Sequence, residues 1–400
     1  MPLRASDPWT HDSGVLSVAL TDIDRIYLER ALGLAERGRG RTSPNPMVGA
    51  VIVAGGQVLG EGFHTGAGTD HAEVVALKDA QHRAGSPDVA RGATMYVTLE
   101  PCCHHGRTPP CTDALIAAGV VRVVVGAIDP SARIDGRGIG TLREAGVAVD
   151  VADGEIARRL RRQNDAFRKH AVSGLPFVTY KYAMTLDGHV ATEGGHSAWI
   201  SGEESRRAVH LLRAEADAVL VGSGTLRADN PRLTARDVGA VRQPLRVVID
   251  SRLRVTREAA LIGSAGDGPV LLVCSPTADP ARIDEVRSWG VEVAVVDPSA
   301  GSLTGGRPDP RAVARLLGGR DVQSVLLEGG PTLAAAWWAA GLIDCVLAFV
   351  APVLSGGRAA PGPLPVPGTQ RMDEALRLRD VEVATSGADA RISGYLREPY

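Results

Sequence analysis

The strongest restriction on how this chain folds comes from a few side chains that lie far apart in sequence yet suit a single ion. His71-Ala72-Glu73 is followed, after one helix-like and one strand-like stretch, by Pro101-Cys102-Cys103-His104-His105 and then Cys111. One imidazole and two thiolates, His71, Cys102 and Cys111, make a three-donor set for zinc and leave the fourth tetrahedral position for water. Zinc lowers the pKa of such a water, so that hydroxide exists near neutral pH and can attack an amidine carbon of an aminopyrimidine. Glu73, two residues after His71 at the start of the same helix, is the expected proton shuttle. An H-x-E run followed by a proline-cysteine pair is a zinc-deaminase signature. Two other readings are a closed structural zinc site with Cys103, His104 or His105 as fourth ligand, which leaves Glu73 without a role, and no metal at all. Cys103 is expected to pack rather than ligate, because adjacent residues seldom point at one ion.

Around this cluster, helix and strand alternate. A helical pattern from Asp22 is followed by two apolar stretches, 47–53 and 57–63, separated by Gly55-Gly56, which reads as a hairpin. Helices are expected over 71–80, 111–119 and 141–146, and strands over 93–99, 121–128 and 147–152. That order predicts an α/β domain with a largely parallel sheet and helices on both faces. The arginine-rich stretch 155–170 reads as a solvated connecting helix; RNA binding by this basic helix is the minor reading. Strands at 177–185, 217–224, 245–251, 269–275, 291–296, 324–330 and 345–354, with helices at 203–215 and 332–341, describe a second domain. With 400 residues the chain holds two or three domains. The expected division is an arm over 1–20, a first domain over 21–153, a linker over 154–175 and a second domain over 176–400.

Composition narrows the partners. A net charge of −2 argues against bulk electrostatic binding to nucleic acid or membrane. No apolar run reaches the roughly 18 residues of a membrane span, and the first residues do not resemble a signal peptide. A cytoplasmic protein is expected. Five cysteines do not make a disulfide framework, and the isolated Cys274 and Cys345 read as buried small hydrophobes. Aromatic residues are only 4% of the chain, so the cores must be built mostly of Val, Leu and Ala. Of 44 basic residues only Lys78, Lys169 and Lys181 are lysines. Lys181, delivered by the strand 177–185 just before a turn, is therefore the lysine expected to hold substrate.

Further glycine-containing runs follow in the second domain. Val221-Gly222-Ser223-Gly224-Thr225 permits close approach of a ligand to the backbone after a strand. Glu328-Gly329-Gly330-Pro331-Thr332 ends a strand and opens a helix whose first amides suit a pyrophosphate. There is no G-x-G-x-x-G fingerprint, so a Rossmann domain is not expected.

The eight residues between Cys102 and Cys111, in the order P-C-x-H-x-G-R-T-P-P-C, resemble the bifunctional riboflavin-biosynthesis deaminase/reductase family. The run S-P-N-P-x-V-G-A-V-I-V over 43–53 carries the same resemblance. It covers nearly the whole chain. It implies a cytidine-deaminase-like three-layer α/β/α domain followed by a dihydrofolate-reductase-like α/β domain, with zinc and NADPH as cofactors. By the same resemblance His71, Cys102 and Cys111 hold the metal, Glu73 is the proton donor, and Asn45, His104, Arg107 and Asp129 meet the first substrate. In the second half, cofactor contacts fall on Ala183, Trp199, Thr225, Asp229, Ser251, Gly330, Pro331, Thr332, Leu333, Ala334, Ala335 and Ala336. Substrate contacts there fall on Ser197, Arg213, Leu233, Arg236 and Glu328, the two arginines as phosphate clamps and Glu328 as a ribityl hydroxyl acceptor. The family commonly has serine in place of Cys103, and asparagine where this chain has Ser131, so no contact is carried over to Ser131. The implied partners are small phosphoribosylaminopyrimidines, with no nucleic acid and no membrane. A homodimer or homotetramer is expected from exposed sheet edges. Other readings are a zinc deaminase of another nucleobase fused to an unrelated NADPH reductase, and a structural-zinc RNA-binding protein.

Overall fold

The structure, a computed structural model, describes residues 20–105, 109–298 and 306–400. It divides into two compact units: the chain up to Ser173 together with Pro399–Tyr400, and Gly174–Glu398.

In the first unit, α1 (Asp22–Glu36) precedes the hairpin β1 (Gly49–Ala54) and β2 (Gln57–Phe63). Then come α2 (Ala72–Ala84), β3 (Thr94–Val97), α3 (Cys111–Ala117), β4 (Arg122–Val125), α4 (Arg137–Glu144) and β5 (Ala148–Val151). Two helices, α5 (Gly154–Gln163) and α6 (Asp165–Ser173), complete it. The sheet order is β2-β1-β3-β4-β5, with β1 antiparallel to both neighbours and β3, β4 and β5 parallel. Successive strand residues point to opposite faces, and the core follows that period. Ala50 and Ile52 pack with Ala76, Leu115 and Leu142 from α2, α3 and α4. Val51 and Val53 pack with Leu28, Ala31, Ile156 and Leu160 from α1 and α5. The result is a three-layer α/β/α unit. The expectation of a solvated helix over 155–170 is corrected here: Ile156, Ala157 and Leu160 belong to the core, because the arginine run leaves one apolar stripe at helical spacing.

The second unit is a nine-stranded sheet in the order β10-β9-β8-β7-β11-β6-β12-β14-β13. Its elements are β6 (Phe177–Thr185), α7 (Glu203–Glu215), β7 (Ala218–Gly222), α8 (Ser223–Asp229), β8 (Leu245–Ile249), α9 (Ala260–Gly263) and β9 (Val270–Cys274). They continue with α10 (Pro280–Arg287), β10 (Glu292–Val295), α11 (Pro310–Gly318), β11 (Ser324–Leu327), α12 (Pro331–Ala339) and β12 (Cys345–Ala351). Strands from β10 to β12 run parallel, and the hairpin β13 (Arg379–Ser386) and β14 (Asp389–Tyr395) adds an antiparallel edge. That hairpin escapes sequence reading because β13 is largely exposed and shows no clean apolar alternation. Helices α10 and α11 are additions to the expected elements, and at each start Asp279-Pro280 or Asp309-Pro310 places a capping carboxylate before a first-turn proline. No helix among the described residues is long and apolar enough to cross a membrane.

One polar cluster ties α1 to the sheet. Asp24 is 2% exposed; it accepts hydrogen bonds from Arg122 Nη1 at 2.7 Å and Tyr96 Oη at 2.9 Å, and closes a capping box with Thr21. Burial works to raise its pKa, but the Arg122, Thr21 and Tyr96 hydrogen bonds outweigh it and hold the carboxyl well below its ordinary range. Its stabilisation is then complete above the unfolded-state value and fades as pH falls toward the lower folded-state value. Asp24→Ala is expected to cost about 3 kcal/mol in urea unfolding at neutral pH. The gap to the parent should narrow below about pH 4; a gap that widens on acidification would contradict this account.

Candidate functional site

In the first unit, three turns of backbone meet. His71 is the extended residue before α2, Glu73 lies in the first turn of α2, Cys102 follows β3, and Cys111 opens α3. Helix α2 can sit flush on β2 because Gly60 and Gly62 face it; a Cβ at either would lie 2.4 Å or less from the carbonyl oxygens of Ala76 and Ala72. His71 Nδ1 is 3.2 Å from Cys111 Sγ and 3.5 Å from Cys102 Sγ, and the three donor atoms lie within 4.8 Å of one another. Tetrahedral zinc bonds of about 2.3 Å to sulfur and about 2.0 Å to nitrogen put N and S donors roughly 3.5 Å apart, so the set fits zinc. No fourth Cys, His, Asp or Glu joins the group among the described residues. Cys103 is half-buried and His104 and His105 are exposed.

The electrostatics suit a deprotonated sulfur beside a protonatable carboxyl. Hydrogen bonding from Cys111 and then His71 pulls the Cys102 thiol well below its ordinary value, against the effect of burial. Burial first, and then the Cys102 charge, push Glu73 up to about 7. Glu73 is 3% exposed and hydrogen-bonded to Cys111. An opening of about 470 Å³, lined by Asp70, His71, Val74, Lys78, Pro110 and Cys111 among others, reaches this cluster.

Of the expected substrate contacts in this unit, Asn45 Nδ2 donates to His64 Nε2 at 3.0 Å, and the His64 ring packs edge-on against His71 at 5.4 Å. Asn45 is thereby brought to the cluster. Asp129 is buried and accepts from Ser131 N at 2.8 Å; burial raises its pKa, and the Ser131 hydrogen bonds, Arg168 and His104 pull the other way. Arg107 lies outside the described residues. Sequence reading missed His64, which ends the β2 hairpin with no local pattern to mark it. It also missed Glu100, whose carboxylate accepts from the N–H groups of Asp129, Gly136 and Ile139 and so fixes the loop before α4.

In the second unit a cavity of about 1880 Å³ opens along the middle of β6 and at the ends of β7 and β11. Such a volume exceeds the roughly 300–1,000 Å³ of a single-ligand pocket. Lys181, Ser197, Arg213, Leu233, Arg236 and Glu328 all line it, as do Ala183, Trp199, Thr225, Asp229, Ser251, Gly330, Pro331, Thr332, Leu333 and Ala336. Ala334 and Ala335 do not: α12 turns Ala334 into the core beside Trp337, because only one face of a helix can front a cavity. Leu233 borders the cavity with its side chain packed in the core, 2% exposed.

Arg213 and Glu328, expected to meet substrate separately, are bound to each other. Arg213 Nε donates to Glu328 Oε1 at 2.7 Å and Nη2 to Oε2 at 2.9 Å. Burial raises Glu328, but Arg213 outweighs it and keeps the carboxylate ionised. Lys181 Nζ sits 5.8 Å above the Phe349 ring; burial lowers its pKa, Glu328 opposing and Arg213 adding. Arg236 is exposed, with Nη1 donating to Thr234 Oγ1 at 2.8 Å and Nη2 3.4 Å from His210 Nε2. Ser197 Oγ donates to Asp229 Oδ1 at 3.2 Å, and Gly330 N to Thr225 Oγ1 at 3.2 Å. Trp199 is 78% exposed, with Arg206 stacked 4.8 Å above it.

Residues 21–127 match the cytidine and deoxycytidylate deaminase zinc-binding region, and residues 176–392 the RibD C-terminal domain. The riboflavin biosynthesis protein RibD of Synechocystis sp. is 42% identical over 93% of this chain and 96% of its own length. That of Escherichia coli K12 is 40% identical over 92% of this chain and 97% of its own length. Among solved structures, Acinetobacter baumannii RibD is similar with a TM-score of 0.79 at 35% identity, over 93% of this chain and 98% of its own. A Thermotoga maritima diaminohydroxyphosphoribosylaminopyrimidine deaminase/5-amino-6-(5-phosphoribosylamino)uracil reductase matches at 0.76 and 33%, over 94% and 99%.

Metal analysis of the purified chain should return about one zinc per molecule, and Cys111→Ser far less, with a lower melting temperature that added zinc does not restore. Full zinc occupancy in Cys111→Ser would disqualify this donor set.

Proposed function

The chain belongs to the RibD family of bifunctional riboflavin-biosynthesis enzymes, a zinc-binding deaminase joined to a reductase, and from that premise we propose how its residues divide the two reactions. The first unit replaces the amino group of a diaminohydroxyphosphoribosylaminopyrimidine by water oxygen and releases ammonia. The second reduces the ribosyl group of the product to ribityl with NADPH.

His71, Cys102 and Cys111 would hold zinc, which when bound makes a water acidic enough to attack near neutral pH. Glu73 does the proton work: its carboxylate takes the proton from the attacking water and passes it to the departing amine. A carboxyl fixed beside the metal donors can do both, and Glu73, buried in the first turn of the helix that His71 opens, is the observation that carries the reading. Asn45 and Asp129 orient the pyrimidine. His104 and Arg107 are assigned to its phosphate.

In the second unit, NADPH supplies hydride when bound. The start of α12 at Gly330, Pro331 and Thr332, with Thr225 and Asp229, is assigned to the cofactor, because a helix N-terminus favours phosphate. Lys181, Arg236 and the Arg213–Glu328 pair are assigned to the phosphorylated sugar. The cavity volume supports two ligands side by side. Small phosphorylated substrates in the cytoplasm, without nucleic acid, are the partners proposed. In support, Arg158, Arg159 and Arg162 of the basic helix are paired with Glu155, Glu29 and Asp165. The exposed Val381 and Val383 on the edge strand β13 support self-association as a dimer or tetramer.

Incubation with the pyrimidine substrate, following ammonia and NADPH absorbance separately, tests this. NADPH oxidation should begin only after ammonia release. Glu73→Gln should slow ammonia release by about 10²–10⁴-fold while leaving NADPH oxidation on pre-deaminated substrate unchanged. Loss of both activities would sink the two-site reading.

A further inference from the structure

The helical stretch α5–α6 presents a buried face that is polar where a plain linker would need none. Asn164, Asp165, Arg168 and Lys169 are each 8% exposed or less. Asn164 grips both backbone groups of Met47: its Oδ1 accepts from Met47 N at 2.8 Å and its Nδ2 donates to Met47 O at 2.8 Å. Met47 lies two residues after Asn45. One turn along, Arg168 N donates to Asn164 O at 2.9 Å, so the two residues share a helix face. Arg168 Nη1 donates to Ile128 O at 2.6 Å, the carbonyl immediately before Asp129, and its charge acts on Asp129 itself. Arg168 Nε donates to the carbonyl oxygen of Tyr400. Tyr400 N in turn donates to Asp165 Oδ1 at 3.1 Å, and the Tyr400 ring lies 5.7 Å below Lys169 Nζ.

Burying a guanidinium is costly unless its donors are used. Here two are used on backbone oxygens, one of them that of Ile128 beside Asp129, while Asn164 holds the backbone two residues from Asn45. We propose that Asn164 and Arg168 are positioning residues for deamination, setting the segments of Asn45 and Asp129 from one rigid helix face, with Tyr400 closing the clamp. This rests on the reading that Asn45 and Asp129 contact the substrate. Binding groups must be held to within about 0.5 Å to act, and two loops fixed from the same turn cannot drift apart independently.

The test uses the full zinc-loaded chain, with ammonia release as readout and NADPH oxidation on pre-deaminated substrate as internal control. Arg168→Met and Asn164→Ala should each raise KM for deamination about 10-fold, with zinc content and reduction unchanged. Arg168→Lys should recover only part, since one ammonium cannot serve both carbonyls. Because Arg168 acts through Asp129, the double variant Arg168→Met/Asp129→Asn should raise KM no further than Asp129→Asn alone. An unchanged KM in Arg168→Met, or effects that multiply in the double variant, would overturn the proposal. If Asp129→Asn and Asn45→Ala themselves leave KM unchanged, the assignment of substrate contacts fails first and the clamp falls with it. Should Arg168→Met not fold, Asn164→Ala decides, because it removes both side-chain bonds to Met47: a raised KM supports the clamp, an unchanged one refutes it.

Discussion

Convergence of His71, Cys102 and Cys111 on one point is the constraint to which the first unit is built. Donor atoms a few ångströms apart demand that α2, the loop after β3 and the start of α3 be held to a fraction of that distance. The means are visible in the packing. Gly60 and Gly62 let α2 settle onto β2, and the Cys111 amide donates to Cys102 Sγ at 3.4 Å, so the two sulfurs are placed by backbone rather than by flexible side chains. Glu73, two residues from His71 in the first turn of α2, is placed by the same helix start, and burial tunes its proton affinity.

The second unit meets a different requirement, because its charges face a large open cavity. Arg213 and Glu328 neutralise each other deep in the wall, and Lys181 rests against Phe349 nearby. An unpaired carboxylate or guanidinium at that depth would be strongly disfavoured. The near-neutral net charge of the chain thus hides a local organisation in which Arg236 at the rim is the more exposed cation. The scarcity of lysine pointed at Lys181, but the other two have separate explanations. Lys78 pairs with Asp70 at the surface, and Lys169 lies over Tyr400 in the interior.

Legibility followed the range of the interaction. The metal donors, Glu73 and the α/β alternation are written in local motifs and periodicities, and so were open to reading. The pairing of Arg213 with Glu328, the His64 contact to Asn45 and the clamp formed by Asn164 and Arg168 join residues that no spacing rule connects. The stretch 155–170 shows the difference most plainly. Its arginines indicate solvent, and some do face it, yet Asn164 and Arg168 turn inward to backbone groups far along the chain.

What the amino-acid order determined by itself is therefore the chemistry available: a three-donor metal site with a shuttle carboxyl, and a second half rich in glycine turns and anion-binding side chains. Periodicity also determined which strand faces are apolar, since side chains alternate whatever the tertiary context. Only the tertiary structure decided which polar groups neutralise one another and which remain turned toward ligand. A buried polar group takes the partner that packing brings within hydrogen-bond reach, and that partner can lie anywhere in the chain.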